Sequence, residues 1–141
     1  LAGPESIREV VAALCPRRIG HGVRTAEDPG LLDRLIAEGV AFEVCPTSNV
    51  HLGVYTDFSQ VPLPSLISAG ATVALSADDP LLFRSRLVEQ YAQARDAFGL
   101  SDRELAGLAR QSIEASLAPS SSKLRWFARI EEWLAAPPAA A

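Results

Sequence analysis

The stretch that decides the fold is Ala74-Leu75-Ser76-Ala77-Asp78-Asp79-Pro80. Residues 71–75 are apolar apart from Thr72, which is typical of a parallel strand that is covered on both faces. Pro80 fixes its own φ and lacks an N–H, so the strand must end before it and a helix can begin there. The strand therefore ends in two adjacent carboxylates, which repel each other and need an explanation.

Three explanations for Asp78 and Asp79 stay open from the residues alone. An aspartate can cap the next helix, where negative charge is favoured by roughly 0.3–1 kcal/mol. A carboxylate can instead bind a hard divalent cation or Zn²⁺, which cancels the repulsion. In the third explanation, the second aspartate recognises a polar substrate. Capping accounts for one aspartate more easily than for two.

Length, net charge and cysteine content limit the classes of protein to which this chain can belong. The chain of 141 residues has the length of one domain, and its 48% hydrophobic content can fill a core. A net charge of −4 without a basic cluster argues against nucleic acid or an anionic membrane as partner, and no apolar run approaches the roughly 20 residues of a membrane span. Cys15 and Cys45 favour reduced thiols and a cytoplasmic location over a disulfide. Because the chain starts at Leu1 and contains no methionine, we expect a piece of a longer chain.

The spacing of apolar residues predicts three strands that alternate with helices, and then only helices. The predicted strands are residues 17–23, 40–45 and 71–75. The predicted helices are residues 4–14, 29–38, 64–69 and 87–98. A further helix is predicted to start at the Ser101 capping box, and a last one spans about 124–134. Residues 46–49 are predicted as a polar loop, and the segment to Gln60 as irregular. This order implies right-handed crossovers and a parallel α/β sheet.

Polar side chains follow all three predicted strands. His21, flanked by glycines, follows the first strand, residues 46–49 follow the second, and the aspartate pair follows the third. The carboxyl ends of parallel strands are where sites are built, so we expect these groups to share one rim. Glu43 lies within the second strand, which favours a polar interior or a position that supports a metal's ligands; the alternative is an edge strand whose Glu43 meets water.

These residues also make the sequence recognisable. Three motifs, Arg18-Ile19-Gly20-His21-Gly22, Phe42-Glu43-Val44-Cys45-Pro46-Thr47-Ser48-Asn49 and Ser76-Ala77-Asp78-Asp79-Pro80, resemble the adenosine deaminase family of metal-dependent hydrolases. The resemblance runs to about Leu117. It implies an incomplete TIM (β/α)₈ barrel, with strands six to eight and their helices in residues 1–135. The Ala/Pro tail, residues 136–141, is expected to be disordered.

The resemblance assigns roles to individual residues. Asp78 is similar to the aspartate that binds a single zinc ion, and Asp79 to the carboxylate that hydrogen-bonds the purine ring. His21 resembles the histidine that orients and deprotonates the zinc-bound water. Glu43 and Ser48 are expected to support the metal's ligands. The implied reaction is hydrolysis of a small purine nucleoside, adenosine plus water giving inosine plus ammonia.

Several residues that the resemblance implies are missing. The family's His-x-His pair, its further zinc-binding histidine and its His-Ala-Gly-Glu motif do not occur in the sequence, and His51 matches none of them. Because a catalytic zinc has at least three protein ligands, we expect little or no activity from the isolated chain. We also expect two open sheet edges, an uncovered inner face and a tendency to aggregate.

Other functions stay open at this point. The parent could deaminate aminofutalosine or free adenine instead of adenosine. The chain could also be a non-catalytic interaction domain derived from the family, or one half that assembles with a separate N-terminal polypeptide.

Overall fold

The computed structural model describes residues 2–136, which form a parallel α/β sheet surrounded by helices. The strand order is β1-β2-β3, with Ile19 opposite Phe42 and Phe42 opposite Val73. All three strands run parallel, so their carboxyl ends lie at the same edge. The predicted α/β class and the alternation of strands and helices are confirmed. The strands are β1 (Arg18–Gly20), β2 (Ala41–Val44) and β3 (Thr72–Leu75).

The helices agree with the sequence prediction except after β2. Within the described residues they are α1 (Pro4–Leu14), α2 (Pro29–Ala37), α3 (Pro46–His51), α4 (Leu63–Ser68), α5 (Pro80–Phe83), α6 (Leu87–Phe98), α7 (Asp102–Ala115) and α8 (Ser120–Ala135), with short 3₁₀ helices at Val23–Glu27 and Phe58–Gln60. The predicted loop at residues 46–49 is wrong, because it forms the first turn of α3. Pro46 suits the first helical position, and Asn49 N–H donates to Cys45 O at 2.9 Å.

Two helix starts are fixed by the side chains that the sequence indicated. Asp28 Oδ1 accepts from Leu31 N–H at 3.0 Å, and this hydrogen bond, together with Arg8, lowers the pKa of Asp28. Ser101 and Glu104 form the predicted reciprocal capping box, with Ser101 N–H donating to Glu104 Oε2 at 2.7 Å.

The main core lies on one face of the sheet. Val40, Phe42 and Val44 are buried there as the alternation predicts, and helix residues such as Leu35 and Leu66 belong to the same cluster. The opposite face is more covered than expected: Ala41, Cys45 and Ala74 are only 4%, 5% and 8% exposed. The expectation of an uncovered inner face is therefore wrong for these three residues.

Helix α7 contacts the amino ends of the strands. Gln111 Oε1 accepts from Val73 N–H at 2.8 Å, and Ala115 O accepts from Arg18 at 3.4 Å. Ser76 N–H donates to Val44 O and therefore points toward β2. Successive N–H groups along a strand point to opposite sides, so Val73 N–H, three residues earlier, points away from β2 toward the outer edge of β3. Gln111 thus covers part of an edge that was expected to be open.

The apolar stripes of α1 and α8 are only partly buried. Leu14 on α1 is 72% exposed and Leu124 on α8 is 68% exposed, while Val11 is the buried residue of α1. The helical periodicity identified the helices correctly, but periodicity alone does not show what packs against a stripe. Of the tail predicted to be disordered, residues 137–141 lie outside the described residues.

The glycine after His21 lies where a side chain cannot fit. Gly22 has φ +35°, and a Cβ there would lie 2.7 Å from Cδ1 of the fully buried Phe42. Gly53 has φ +71°, but nothing lies within 4 Å of its Cβ position. The two glycines share the backbone requirement and differ in the contact.

We therefore expect Gly22→Ala to lower the free energy of unfolding by about 1–3 kcal/mol more than Gly53→Ala does, because only Gly22→Ala overpacks the core. Urea denaturation of both variants and of the unchanged chain measures the difference. Equal midpoints for the two variants would contradict the contact with Phe42.

Candidate functional site

Two of the predicted site residues lie in unusual backbone conformations at strand ends. His21 follows β1 with φ +63°, and Asp78 follows β3 with φ +59°. Positive φ is uncommon outside glycine, although His and Asp tolerate it better than most residues. Such conformations persist only where the surrounding structure holds them, and they cluster at functional sites. At His21 and at Asp78, the positive φ turns the backbone sharply after the strand.

The turns bring the two side chains together. His21 Nε2 lies 3.4 Å from Asp78 Oδ2, and the side chains are 23% and 33% exposed. Ser48, at the start of α3, donates its hydroxyl to the same Asp78 oxygen at 2.6 Å. The structure thus brings three of the predicted residues, from β1, β3 and the segment after β2, to one rim.

Asn49 is a site residue to which the sequence reasoning gave no role. Its side chain is fully buried, and Oδ1 lies 2.9 Å from His21 Nδ1. If Oδ1 accepts from Nδ1–H, the lone pair of the neutral ring is on Nε2, on the side of Asp78. Ser48 and Asn49 are adjacent on α3, so one helical turn contacts both the carboxylate and the imidazole. Their adjacency in the second motif, residues 42–49, was the available signal.

A buried glutamine fixes the start of α3. Gln90 on α6 is fully buried and donates from Nε2 to Thr47 Oγ1 at 2.6 Å and to Ser85 Oγ at 2.5 Å. Its Oε1 accepts from Thr47 N–H at 3.2 Å. Burial of an amide is favourable only when it is hydrogen-bonded, so these contacts pin α3 against α6. No sequence signal marked Gln90, because a glutamine within a helix is usually exposed.

The adjacent aspartates have different tasks. Asp79 caps α5, with Oδ1 accepting from the N–H groups of Leu81 and Leu82 at 2.9 Å each. This cap does not use Asp79 Oδ2. Asp78 faces His21 and Ser48 instead, so capping explains one carboxylate of the pair and not the other.

Glu43 lies on the sheet face opposite the main core. It forms an ion pair with Arg18 on the neighbouring strand, and its side chain is 31% exposed. The carboxylate within the strand is therefore paired, as a partly buried charge is expected to be. Its predicted support of a metal remains a prediction.

A metal ion could be held at this rim. His21, Cys45 and Asp78 each offer one ligand atom, and the three atoms lie within 4.8 Å of one another. Nitrogen, sulfur and carboxylate oxygen are the donors that Zn²⁺ accepts, so these residues fit a divalent ion. Burial raises the pKa of the Cys45 thiol to about 11. Cys45 was not predicted as a site residue.

The chain matches a known protein family and several known proteins. A family model described as adenosine deaminase matches residues 1–133. The chain belongs to the adenosine deaminase family. It is 54% identical over 136 residues to a protein provisionally named as an adenosine/adenine deaminase of Streptomyces coelicolor, a match that covers 96% of this chain and 40% of the relative.

Two further matches agree with this family. The adenine deaminase of Agrobacterium fabrum is 42% identical over 130 residues, covering 92% of this chain and 40% of the relative. The crystal structure of an adenine deaminase from Arthrobacter aurescens matches with a TM-score of 0.91 and 33% identity, over 96% of this chain and 41% of that chain. The predicted partial (β/α)₈ barrel is thereby confirmed.

The chain spans about 40% of the length of the curated relatives it matches. These adenosine deaminase family members are hydrolases that remove amino groups. Within residues 2–136, none of the helices has the length and apolar character needed to cross a membrane.

The contact between Asn49 and His21 predicts the tautomer of the ring. We expect neutral His21 to carry its proton on Nδ1, because Asn49 Oδ1 is closer than Asp78 Oδ2, which already accepts from Ser48. In Asn49→Leu the acceptor is lost, and the proton should move to Nε2 in most molecules. Long-range ¹H–¹⁵N NMR at a pH where the ring is neutral distinguishes the tautomers.

His51 is the matched control, because the chain has two histidines and His51 does not contact Asn49 through any hydrogen bond in the described residues. Its tautomer should not change in Asn49→Leu. Asn49 Nδ2 is buried without a partner in residues 2–136. Protonation of Nε2 in the unchanged chain would therefore mean that the amide is turned and that Nδ2 donates to the ring, contrary to our assignment.

Proposed function

We propose that this chain supplies one rim of a zinc-dependent hydrolytic deaminase that removes the 6-amino group of an adenine ring. The observation that carries the proposal is the close approach of His21 Nε2 to Asp78 Oδ2, 3.4 Å apart at the carboxyl ends of β1 and β3. A histidine next to a carboxylate that can bind a metal suits proton transfer beside that metal. The family membership supports the same reaction class.

Each side chain has a task in this proposal. Asp78 would hold the zinc ion, which would lower the pKa of a water molecule beside it to about 7. His21 accepts the proton at Nε2, and Asn49 keeps that nitrogen unprotonated by accepting from Nδ1–H. Ser48 holds one Asp78 oxygen in place through its 2.6 Å hydrogen bond. Glu43, paired with Arg18, keeps the neighbouring sheet face polar.

Asp79 is proposed to bind the purine ring. Its Oδ1 is fixed by two backbone N–H groups of α5, which sets the orientation of the whole carboxylate. Oδ2 is then the oxygen that can hydrogen-bond a ring nitrogen. A side chain that is already ordered by a cap loses little entropy on binding.

Free adenine is the first candidate substrate, and adenosine the second. Two of the three relatives described above are named adenine deaminases, and one is named for both compounds. The nucleoside that the resemblance implies thus becomes the alternative to the free base.

The proposal includes a partner for this chain. Residues 1–135 would form part of a barrel that a complementing N-terminal polypeptide completes, and the chain by itself would be inactive. A cytoplasmic location is part of the proposal and rests on the two free cysteines, Cys15 and Cys45.

Complementation tests this function. A polypeptide corresponding to the remaining length of the Streptomyces relative is produced separately and mixed with this chain and zinc. We expect ammonia release from adenine by the mixture and none by either part. The same mixture with Asp78→Asn should be inactive, because the amide is a much weaker metal ligand.

Size-exclusion chromatography shows whether the two parts assemble. An assembled mixture that deaminates neither adenine nor adenosine would contradict the proposal. Clear turnover by the unmixed chain would contradict the claim that the chain needs a partner. Turnover of adenosine in preference to adenine would keep the reaction and reverse the order of substrates.

Asp79→Asn separates capping from substrate binding. Asparagine caps a helix about as well as aspartate, so the denaturation midpoint should stay unchanged. The lost charge should lower kcat/KM of the complemented enzyme by roughly 10–100-fold, the equivalent of a charged hydrogen bond of about 1.5–3 kcal/mol. An unchanged kcat/KM would show that Asp79 acts only as a cap.

A further inference from the structure

The rim contains a thiol to which the proposed reaction gives no task. Cys45 directly follows β2, as His21 follows β1 and Asp78 lies after β3. Each of the three neighbouring strands therefore contributes one metal-binding atom of a different chemical type. The three atoms lie within 4.8 Å of one another, so small side-chain rotations can bring them around one ion.

The three ligand residues differ in their exposure to solvent. The side chains of His21 and Asp78 are 23% and 33% exposed, whereas Cys45 is 5% exposed. An ion would approach from the solvent side past His21 and Asp78 and meet the sulfur beneath them. The hydrogen bond from Cys45 Sγ to Glu43 O, at 3.9 Å, is long for a sulfur donor and holds the thiol weakly.

We propose that, in this chain without a partner, Cys45 Sγ joins His21 Nε2 and an Asp78 oxygen as a ligand of a thiophilic divalent cation. This proposal rests on the proposed function for the presence of a cation beside Asp78. It differs in that His21 binds the cation directly, because no second chain is present to supply further ligands. When the ion binds, the S–H bond breaks, a sulfur–metal bond forms and the proton passes to the solvent, with no change of oxidation state.

The donor set determines which cations bind. Thiolate and imidazole favour Zn²⁺, Co²⁺ and Cd²⁺, whereas Mg²⁺ and Ca²⁺ prefer oxygen ligands. With one sulfur, one nitrogen and one carboxylate, the chain should bind Co²⁺ and show no saturable binding of Mg²⁺. A solvent molecule can occupy the remaining position of a four-coordinate ion.

Cobalt titration of the full, reduced chain of 141 residues tests the proposal. A thiolate ligand produces a near-ultraviolet sulfur-to-cobalt charge-transfer band, which we expect to saturate at one ion per chain. Cys45→Ser should abolish the band and weaken Co²⁺ binding at least roughly tenfold. Cys15→Ser is the matched control, because Cys15 is the chain's other cysteine, is exposed, and should leave the band unchanged.

A second measurement uses the unchanged chain and does not depend on the folding of a variant. Bound Co²⁺ or Cd²⁺ should slow alkylation of Cys45 by iodoacetamide, as followed by mass spectrometry of the two cysteine-containing peptides. Mg²⁺ at the same concentration should not slow it, and Cys15 should react at the same rate with every ion.

The outcomes separate this proposal from the proposed function. Cobalt binding without a charge-transfer band and without protection of Cys45 overturns the role of the thiol, while a metal site at Asp78 survives. A band that persists in Cys45→Ser and disappears in Cys15→Ser also overturns it. Failure of the complementation assay bears on the deaminase assignment alone, because cobalt binding is read without turnover.

Discussion

The parallel register of three short strands is the constraint on which the site depends. Because β1, β2 and β3 run in the same direction and pair side by side, their carboxyl ends meet at one edge. His21 and Asp78, far apart in sequence, come within 3.4 Å only through this register. Positive φ values at both residues then turn their side chains toward each other instead of along the strands.

Helix α3 converts this meeting of strand ends into an ordered site. Ser48 holds Asp78 and Asn49 contacts His21, so the same helical turn orients the carboxylate and the imidazole. Gln90 in turn anchors that helix from α6 through two hydrogen bonds to Thr47. The strained conformations at His21 and Asp78 are tolerable because hydrogen-bonded, buried groups surround them.

The same rim admits two uses that differ in what surrounds it. With further ligands from a completed barrel, His21 is proposed to move a proton beside the metal. Without them, His21 and Cys45 are proposed to bind the ion themselves. The difference follows from the number of ligands a divalent ion needs, not from a change in the fold.

The sequence by itself determined the strand and helix order, the caps at Asp28 and Ser101, and the convergence of His21 with Asp78. These features depend on local periodicity, on cap chemistry and on the rule that parallel strands share a carboxyl edge. Only the tertiary structure decided that residues 46–49 are helical, that Gln90 is buried, that Leu14 and Leu124 are exposed, and that Cys45 lies beside the imidazole. The reason is physical: burial and hydrogen-bond partners depend on which elements pack together, and contacts between residues distant in the chain leave no local pattern.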